Sequence, residues 1–261
     1  MSTAIKTVNI VGSGNVATHL AKALSEKGFE IKGVLSRAKE HALSLACEVR
    51  AVAVDSVADM PQADLTLVAV PDDAICGVAK AIHAAGVTGV VAHTSGATSV
   101  DALRPIAHRG VLYPCMTFSK NDRIDLRRCP FLVEAADADS LDALKSVACA
   151  IGSGATECDS DGRARLHLAA VLASNFTNHM LLMAQRAMTQ AGLPFDLLRP
   201  LVEQTIAKAF TMSPFDAQTG PARRNDAKTM ERHRELIGGD MRLRGLYDAL
   251  TASIIKTYGN G

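Results

Sequence analysis

An apolar stretch, Thr7-Val8-Asn9-Ile10-Val11, runs directly into Gly12-Ser13-Gly14-Asn15-Val16-Ala17 and then into the helical pattern Thr18-His19-Leu20-Ala21-Lys22-Ala23-Leu24. Strand, tight glycine turn and amphipathic helix in that order constrain the fold more than any other feature of the chain. Gly12 allows a sharp turn, Gly14 puts no side chain between the backbone and an approaching phosphate, and Ala17 lets the helix pack closely on the strand. The helix start offers free N–H groups and a partial positive charge, which is what a dinucleotide pyrophosphate needs. A lone G-x-G-x-x-A is weak evidence, but a second strand over 30–35 completes a βαβ unit around this one. Gly12, Ser13, Gly14, Asn15 and Val16 are therefore expected to bind a cofactor.

The end of the second strand bears on which dinucleotide is bound. An NAD site usually carries an acid about 20 residues beyond the glycines to hold the ribose 2′-hydroxyl. Here the residues are Val34-Leu35-Ser36-Arg37, with no acid until Glu40. A hydroxyl followed by a guanidinium suits a 2′-phosphate, so NADP is expected, held by Ser36 and Arg37. The plainer reading makes Ser36 the cap of the next helix and Arg37 a solvated first-turn residue.

Up to about Cys158, strand patterns at 6–11, 30–35, 50–54, 65–70, 90–94, 110–113, 130–134 and 155–158 alternate with helical ones at 15–27, 38–47, 73–85, 99–108 and 139–151. That alternation predicts an α/β, Rossmann-type, doubly wound and mainly parallel sheet with helices on both faces. Ligands of such sheets bind outside the carboxyl ends of the strands, which makes Val70-Pro71-Asp72 and His93-Thr94-Ser95-Gly96 expected walls of the site. After Asp161 only helical patterns remain: a long one over 162–192, then 195–211, 225–237 and 240–258. The expected division is a dinucleotide-binding domain over 1–160 and an all-helical substrate or dimerisation domain over 161–261.

Composition narrows the function. With 28 basic against 27 acidic residues and few aromatics, the chain lacks the basic excess and stacking surfaces of a nucleic-acid binder. It has no membrane-length apolar run and no basic-then-apolar leader, so a soluble, cytoplasmic protein is expected. Six scattered cysteines without a CxxC pair suggest neither zinc nor another metal, and they read as reduced thiols; Cys115 lies close to other candidate residues.

On ideal helical winding, Arg163, His167, Ser174, Asn178 and Gln185 fall within roughly 40° of one line, with Asn175 about 80° away. Such a narrow polar stripe on an apolar helix is either a buried hydrogen-bond network or the wall of a ligand cleft. Reduction of a C=O or C=N bond needs a proton donor, a group to polarise the acceptor and an anchor. His167 is the candidate donor, Asn175 or Asn178 the polarising amide, and Ser95 a substrate or nicotinamide contact whose plain alternative is a helix cap. His93 is a candidate substrate residue. Arg223 and Arg224, on the rigid Gly220-Pro221 loop, are candidates to clamp a carboxylate or to form an ion pair with the nucleotide domain.

These residues resemble a family. The glycine turn, Ser36-Arg37, His93-Thr94-Ser95-Gly96, Tyr113-Pro114, the run from His167 to Asn175 and Gly220-Pro221-Ala222-Arg223-Arg224-Asn225-Asp226 look like those of bacterial proteins that join a Rossmann-like NADP-binding domain to a helical domain of unknown function. The layout is similar to pyrroline-5-carboxylate reductases, deazaflavin-dependent NADP reductases and ketopantoate reductases. The resemblance implies an NADP-dependent oxidoreductase acting on a small carboxylate-bearing substrate, with 2-ketopantoate the leading candidate, and a homodimer built through the helical domain. An imine reductase and a non-catalytic dinucleotide-binding regulator are the alternatives. The Lys/Asn pair of the related 3-hydroxyacid dehydrogenases does not carry over, because no lysine lies between Lys145 and Lys208.

Overall fold

Eight short apolar runs form one sheet in this computed structural model, which describes residues 4–119 and 124–259. The strands are β1 (Thr7–Val11), β2 (Glu30–Leu35), β3 (Val52–Val54), β4 (Leu65–Val68), β5 (Val90–His93), β6 (Arg109–Pro114), β7 (Pro130–Ala135) and β8 (Gly154–Glu157). Their order is β3-β2-β1-β4-β5-β6-β7-β8. The chain builds outwards from β1 to β3 and then crosses back to lay β4 against the other side of β1, with Ile10 opposite both Val34 and Leu67. That reversal is the topological switch point, and it leaves a crevice at the carboxyl ends of β1 and β4.

Helices α1 (Asn15–Glu26), α2 (Lys39–Val49) and α4 (Ala138–Ile151) cover one face. Leu20, Leu24, Leu45, Val49, Leu144 and Val147 pack there against Val8, Ile10, Leu65, Leu67 and Phe131. Helix α3 (Ile75–Ala84) covers the other, where Ile75, Ala79 and Ile82 meet Val11, Val68, Val91, Leu103 and Ile106. Strands buried on both faces are near-continuously apolar for this reason.

The sheet is mainly parallel, as expected, with one antiparallel pair, and one expected helix needs correction. The sheet is parallel from β3 to β6, but β7 runs antiparallel to β6, and β8 follows β7 in parallel. A parallel return requires a crossover of a dozen or more residues, usually a helix. Among its described residues the β6–β7 connection holds only a single 3₁₀ turn, Leu126–Arg128, whereas α4 provides the crossover from β7 to β8. The helix expected over 99–108 is likewise reduced to a 3₁₀ turn, Val100–Leu103. Pro105 forces the residue before it out of helical conformation, and Arg104 is extended at φ −60°, ψ 139°.

Helix α5 (Ser160–Ala170) leaves the sheet and continues through a π-helical turn, Val171–Phe176, into α6 (Thr177–Gln190). Packing divides the chain into two compact units, the first ending at Asn175 and the second beginning at Phe176. The second unit is all helical: α6, α7 (Arg199–Thr211), the short α8 (Pro214–Ala217), α9 (Ala227–Ile237) and α10 (Met241–Tyr258). Within it α9 is tied to α10 by Arg234 to Asp248 at 2.8 Å and by His233 to the Tyr247 hydroxyl at 3.0 Å. No helix among the described residues is long and apolar enough to cross a membrane.

Candidate cofactor and active-site cleft

A cleft of about 1510 Å³ opens at the switch point, and every residue lining it belongs to the first unit. The glycine turn forms its floor. Gly12 has φ +124°, and a Cβ there would run into the Ala69 carbonyl of the neighbouring connection. Glycine is thus required twice, by conformation and by close approach. Its N–H donates to the Leu35 carbonyl at 2.7 Å, tying the turn to β2.

The helix starts differ in an informative way. Helices α4, α5, α9 and α10 begin at Asp137, Asp159, Asp226 and Asp240, each accepting a first-turn backbone N–H. Helices α1 and α2 begin at Gly14 and Ala38, both extended and with no side-chain cap, whereas α3, α6 and α7, also without one, continue from a preceding helical turn. The first N–H groups of α1 and α2 are left for something else, and a Cβ on Gly14 would meet nothing within 4 Å. The α1 start therefore fits a pyrophosphate. Ser36 does not cap α2; its hydroxyl pairs with that of Ser13 at 2.7 Å. Arg37 and Lys39 are both exposed and line the cleft beside the α2 start, Lys39 reaching Asp55 at 2.7 Å. Lys39 went unremarked in the sequence, although a lysine in a helix's first turn opposes the helix dipole.

Val16, Val70 and Pro71 line the cleft as expected. The Asn15 side chain has a different task. Its amide donates to the Phe118 carbonyl at 2.8 Å, His19 Nε2 lies 2.9 Å from the Ser119 carbonyl, and the His19 and Phe118 rings sit 5.6 Å apart. Together they hold the segment after β6 across the start of α1, leaving Asn15 its backbone N–H for a ligand.

The other end of the cleft carries the candidate chemistry. His167 on α5 and Tyr113 at the end of β6 meet there, with Nδ1 3.3 Å from the phenol oxygen and the rings edge to face at 6.1 Å. Gly96 makes room for them, since a Cβ there would lie 2.6 Å from His167 Nδ1 and 2.9 Å from Tyr113 Cε2. Burial pushes the Tyr113 phenol up to about 12, so it keeps its proton at neutral pH. Burial also raises the Cys115 thiol, which lines the same end as a protonated group. In the sequence Tyr113 stands out only as part of the Tyr113-Pro114 motif. The available signal was its place at the carboxyl end of a strand next to the one ending in His93.

Ser95 lines the cleft, but its hydroxyl accepts the Ala97 and Thr98 N–H groups at 3.2 and 3.0 Å and donates to Thr98 Oγ1 at 3.0 Å. Committed to its own turn, it has no proton to give. His93 does not reach the cleft at all. It is fully buried, with Nδ1 accepting the Ser95 N–H and Nε2 facing the Ser99 carbonyl, each at 3.2 Å. As the last residue of β5 its side chain turns inward, which removes it from the substrate contacts.

Asn175 lines the cleft as expected. The sequence arithmetic put it about 80° from His167, but a π turn takes one more residue per turn than an α turn. The extra residue brings Asn175 back to within roughly 20° of the His167 line. For the same reason the 100° arithmetic that aligned Asn178 and Gln185 with Arg163 does not hold through this turn. Arg163 is 1 % exposed and takes the other reading of the stripe, a buried network, bonding to Glu134, Thr98 and Ser160.

Asn178, Arg223 and Arg224 belong to the second unit, where all three are exposed. Arg223 donates to the Phe215 carbonyl at 3.2 Å and lies 4.6 Å over the Tyr258 ring, which accounts for its place on the loop without a substrate. Arg224 stands two residues ahead of the α9 cap Asp226.

Comparison with known proteins places this architecture. Residues 1–117 match the Rossmann-like domain, and residues 129–254 match a domain of unknown function, DUF2520. No curated protein matches the chain. It is similar to a Bacteroides fragilis protein, BF3122, provisionally assigned as an NADP oxidoreductase, with 36% identity, a TM-score of 0.90 and coverage of 97% of this chain and 98% of that one. It shares its fold with an imine reductase from Myxococcus stipitatus in complex with NADP+, at 19% identity, TM-score 0.73 and coverage of 98% and 95%. The same holds for a pyrroline-5-carboxylate reductase from Coxiella burnetii, at 18% identity, TM-score 0.60 and coverage of 98% of both chains. The chain belongs to the family that joins a Rossmann-like domain to the helical domain of unknown function DUF2520.

Proposed function

We propose that the protein is an NADP-dependent oxidoreductase that reduces a polarised C=N or C=O bond in a small substrate. One observation carries the reading: a single cleft runs from an uncapped, glycine-lined helix start to a Tyr113–His167 pair. The α1 start would hold the pyrophosphate, while Ser36, Arg37 and Lys39 surround the position of a ribose 2′-phosphate. Bound NADPH supplies a hydride, which leaves the protein to orient the acceptor and deliver a proton.

His167 holds that proton. In its protonated form the ring donates Nδ1–H to the oxygen of the Tyr113 phenol and keeps Nε2–H for the acceptor, so that giving up the Nε2 proton leaves a neutral imidazole. A proton from this ring goes to the nitrogen or oxygen of the acceptor as the acceptor carbon takes the hydride, and solvent reprotonates the ring afterwards. Asn175 supplies an amide to polarise the acceptor.

Among the described residues that line the reacting end there is no lysine or arginine. These residues supply no anchor for the carboxylate of 2-ketopantoate, which supports an imine or ketone that is uncharged at the reacting end. NADPH oxidation against a panel of cyclic imines, 2-ketopantoate and other 2-keto acids tests the reading. Turnover that falls by about 10²–10⁴ in His167→Ala, with NADPH affinity retained, supports it. Tight NADPH binding without turnover of any class would favour the regulator instead.

We also propose a homodimer formed through the second unit, whose helices expose Leu197, Leu201, Phe210 and Met241. Light scattering at micromolar concentration gives the dimer mass if this is right and the 27.5 kDa monomer mass if it is wrong.

A further inference from the structure

We propose that the buried Arg163–Glu134 ion pair is a positioning element for the reaction centre, holding the His167 ring, Tyr113 and the Gly96 turn in mutual register. The inference rests on the assignment of His167 above.

Three separate pieces of chain converge on this pair, and each carries or adjoins a residue of the reacting end. The first is α5, where Arg163 lies one turn before His167 on the same face. The second is β7, whose Glu134 accepts the Arg163 guanidinium. Glu134 is paired with Val111 on β6, two residues before Tyr113. The third is the turn after β5. Its Thr98 carbonyl accepts Arg163 Nη2 at 2.5 Å, and its Thr98 hydroxyl accepts that of Ser95. Ser160 closes the network, donating to Glu134 at 2.9 Å and accepting the Val100 N–H at 3.2 Å.

Stability alone does not explain such a device. An ion pair with Arg163 fully buried and Glu134 largely so gains little over well-packed apolar residues once desolvation is counted, whereas it fixes geometry through directional bonds. Geometry is what the site demands. The space that a Cβ on Gly96 would occupy is already within 2.6 Å of His167 and 2.9 Å of Tyr113, so neither ring can drift towards the turn. A displacement of about 1 Å in such a site costs on the order of a hundredfold in rate.

The test uses the full-length protein with Arg163→Lys and the milder Ser160→Ala, each alone and combined with His167→Ala. The first readout is the ring-nitrogen NMR signals of His167, assigned by their loss in His167→Ala. Both variants should move these signals towards those of Tyr113→Phe while the NADPH dissociation constant stays within about twofold. The second readout is kcat on the best substrate of the panel. Arg163→Lys should lower it about tenfold or more in the parent and by less than about twofold when His167 is already alanine. Unchanged His167 signals in both variants, or losses that multiply fully in the His167→Ala background, would overturn the proposal. A parent that turns over no substrate, yet shows the shifts, would leave the positioning role standing and remove the reductase reading instead.

Discussion

Acidification should weaken this fold through His93 in particular. The ring is fully buried at the end of β5, and desolvation lowers its pKa from 6.5 to about 4. Its bonds explain why it stays neutral: Nδ1 accepts the Ser95 N–H, so a proton added at Nδ1 would face another proton. Between those two pKa values the unfolded chain binds a proton that the folded chain refuses, and stability therefore falls as pH falls from about 6.5 to about 4. The full difference is on the order of 3 kcal/mol, of which about 2 kcal/mol is lost by pH 5. Urea denaturation of the parent and of His93→Gln at pH 7, 6 and 5 isolates this contribution, because carboxylates titrate mostly below that window. His93→Gln should be the less stable protein at pH 7, where it lacks the fitted ring. It should also lose about 2 kcal/mol less than the parent on going to pH 5. Parallel stability curves for the two proteins, or a His93 ring that titrates near 6.5 by NMR, would refute the reasoning.

Three further outcomes follow from the same geometry. Arg37→Ala should weaken NADP by about tenfold or more and leave NAD nearly unchanged, measured by fluorescence titration; equal loss of both would show that Arg37 acts through folding. Gly14→Val should melt close to the parent, since its φ of −74° suits any residue and its side chain enters open space, yet it should lose NADPH affinity at least about tenfold; native affinity would move the phosphate site elsewhere. Gly96→Ala should fold and bind NADPH but lose about tenfold or more in kcat, because its methyl group displaces His167 and Tyr113; full activity would mean that their close fit is unimportant.

The parts of the structure that were legible in the sequence depend on local patterns. Most of the strands are apolar runs bounded by polar turns, and Gly12, Gly14 and Ala17 carry their requirement in their own size. Strand direction is less local. Whether β7 returns parallel or antiparallel to β6 depends on what the connection contains, and nothing in Pro130–Ala135 itself records it. Side-chain direction at a strand end is harder still. His93 is the last residue of β5 and Tyr113 the last but one of β6, yet His93 turns into the core while Tyr113 faces the cleft. Only the register between strands separates the two.

The long helix shows most clearly how a sound local argument can go astray. The residues Arg163, His167 and Asn175 were visible as an unusual polar set on an apolar helix, and ideal winding then sorted them by angle. Two features of the folded chain re-sort them. Arg163 is drawn into the core by Glu134, a partner on a strand 29 residues away in sequence, so one member of the stripe is buried while its neighbour one turn on lines the cleft. The π turn then winds Asn175 round to the His167 line, a change of phase that no residue in Val171–Phe176 announces. Such turns recur at functional sites because the extra residue re-aims a side chain that an ideal helix would leave pointing elsewhere. Here the re-aimed side chain is an amide that lines the same cleft as His167, the proposed proton donor. The departure from regular structure and the proposed chemistry thus fall on the same turn of the helix.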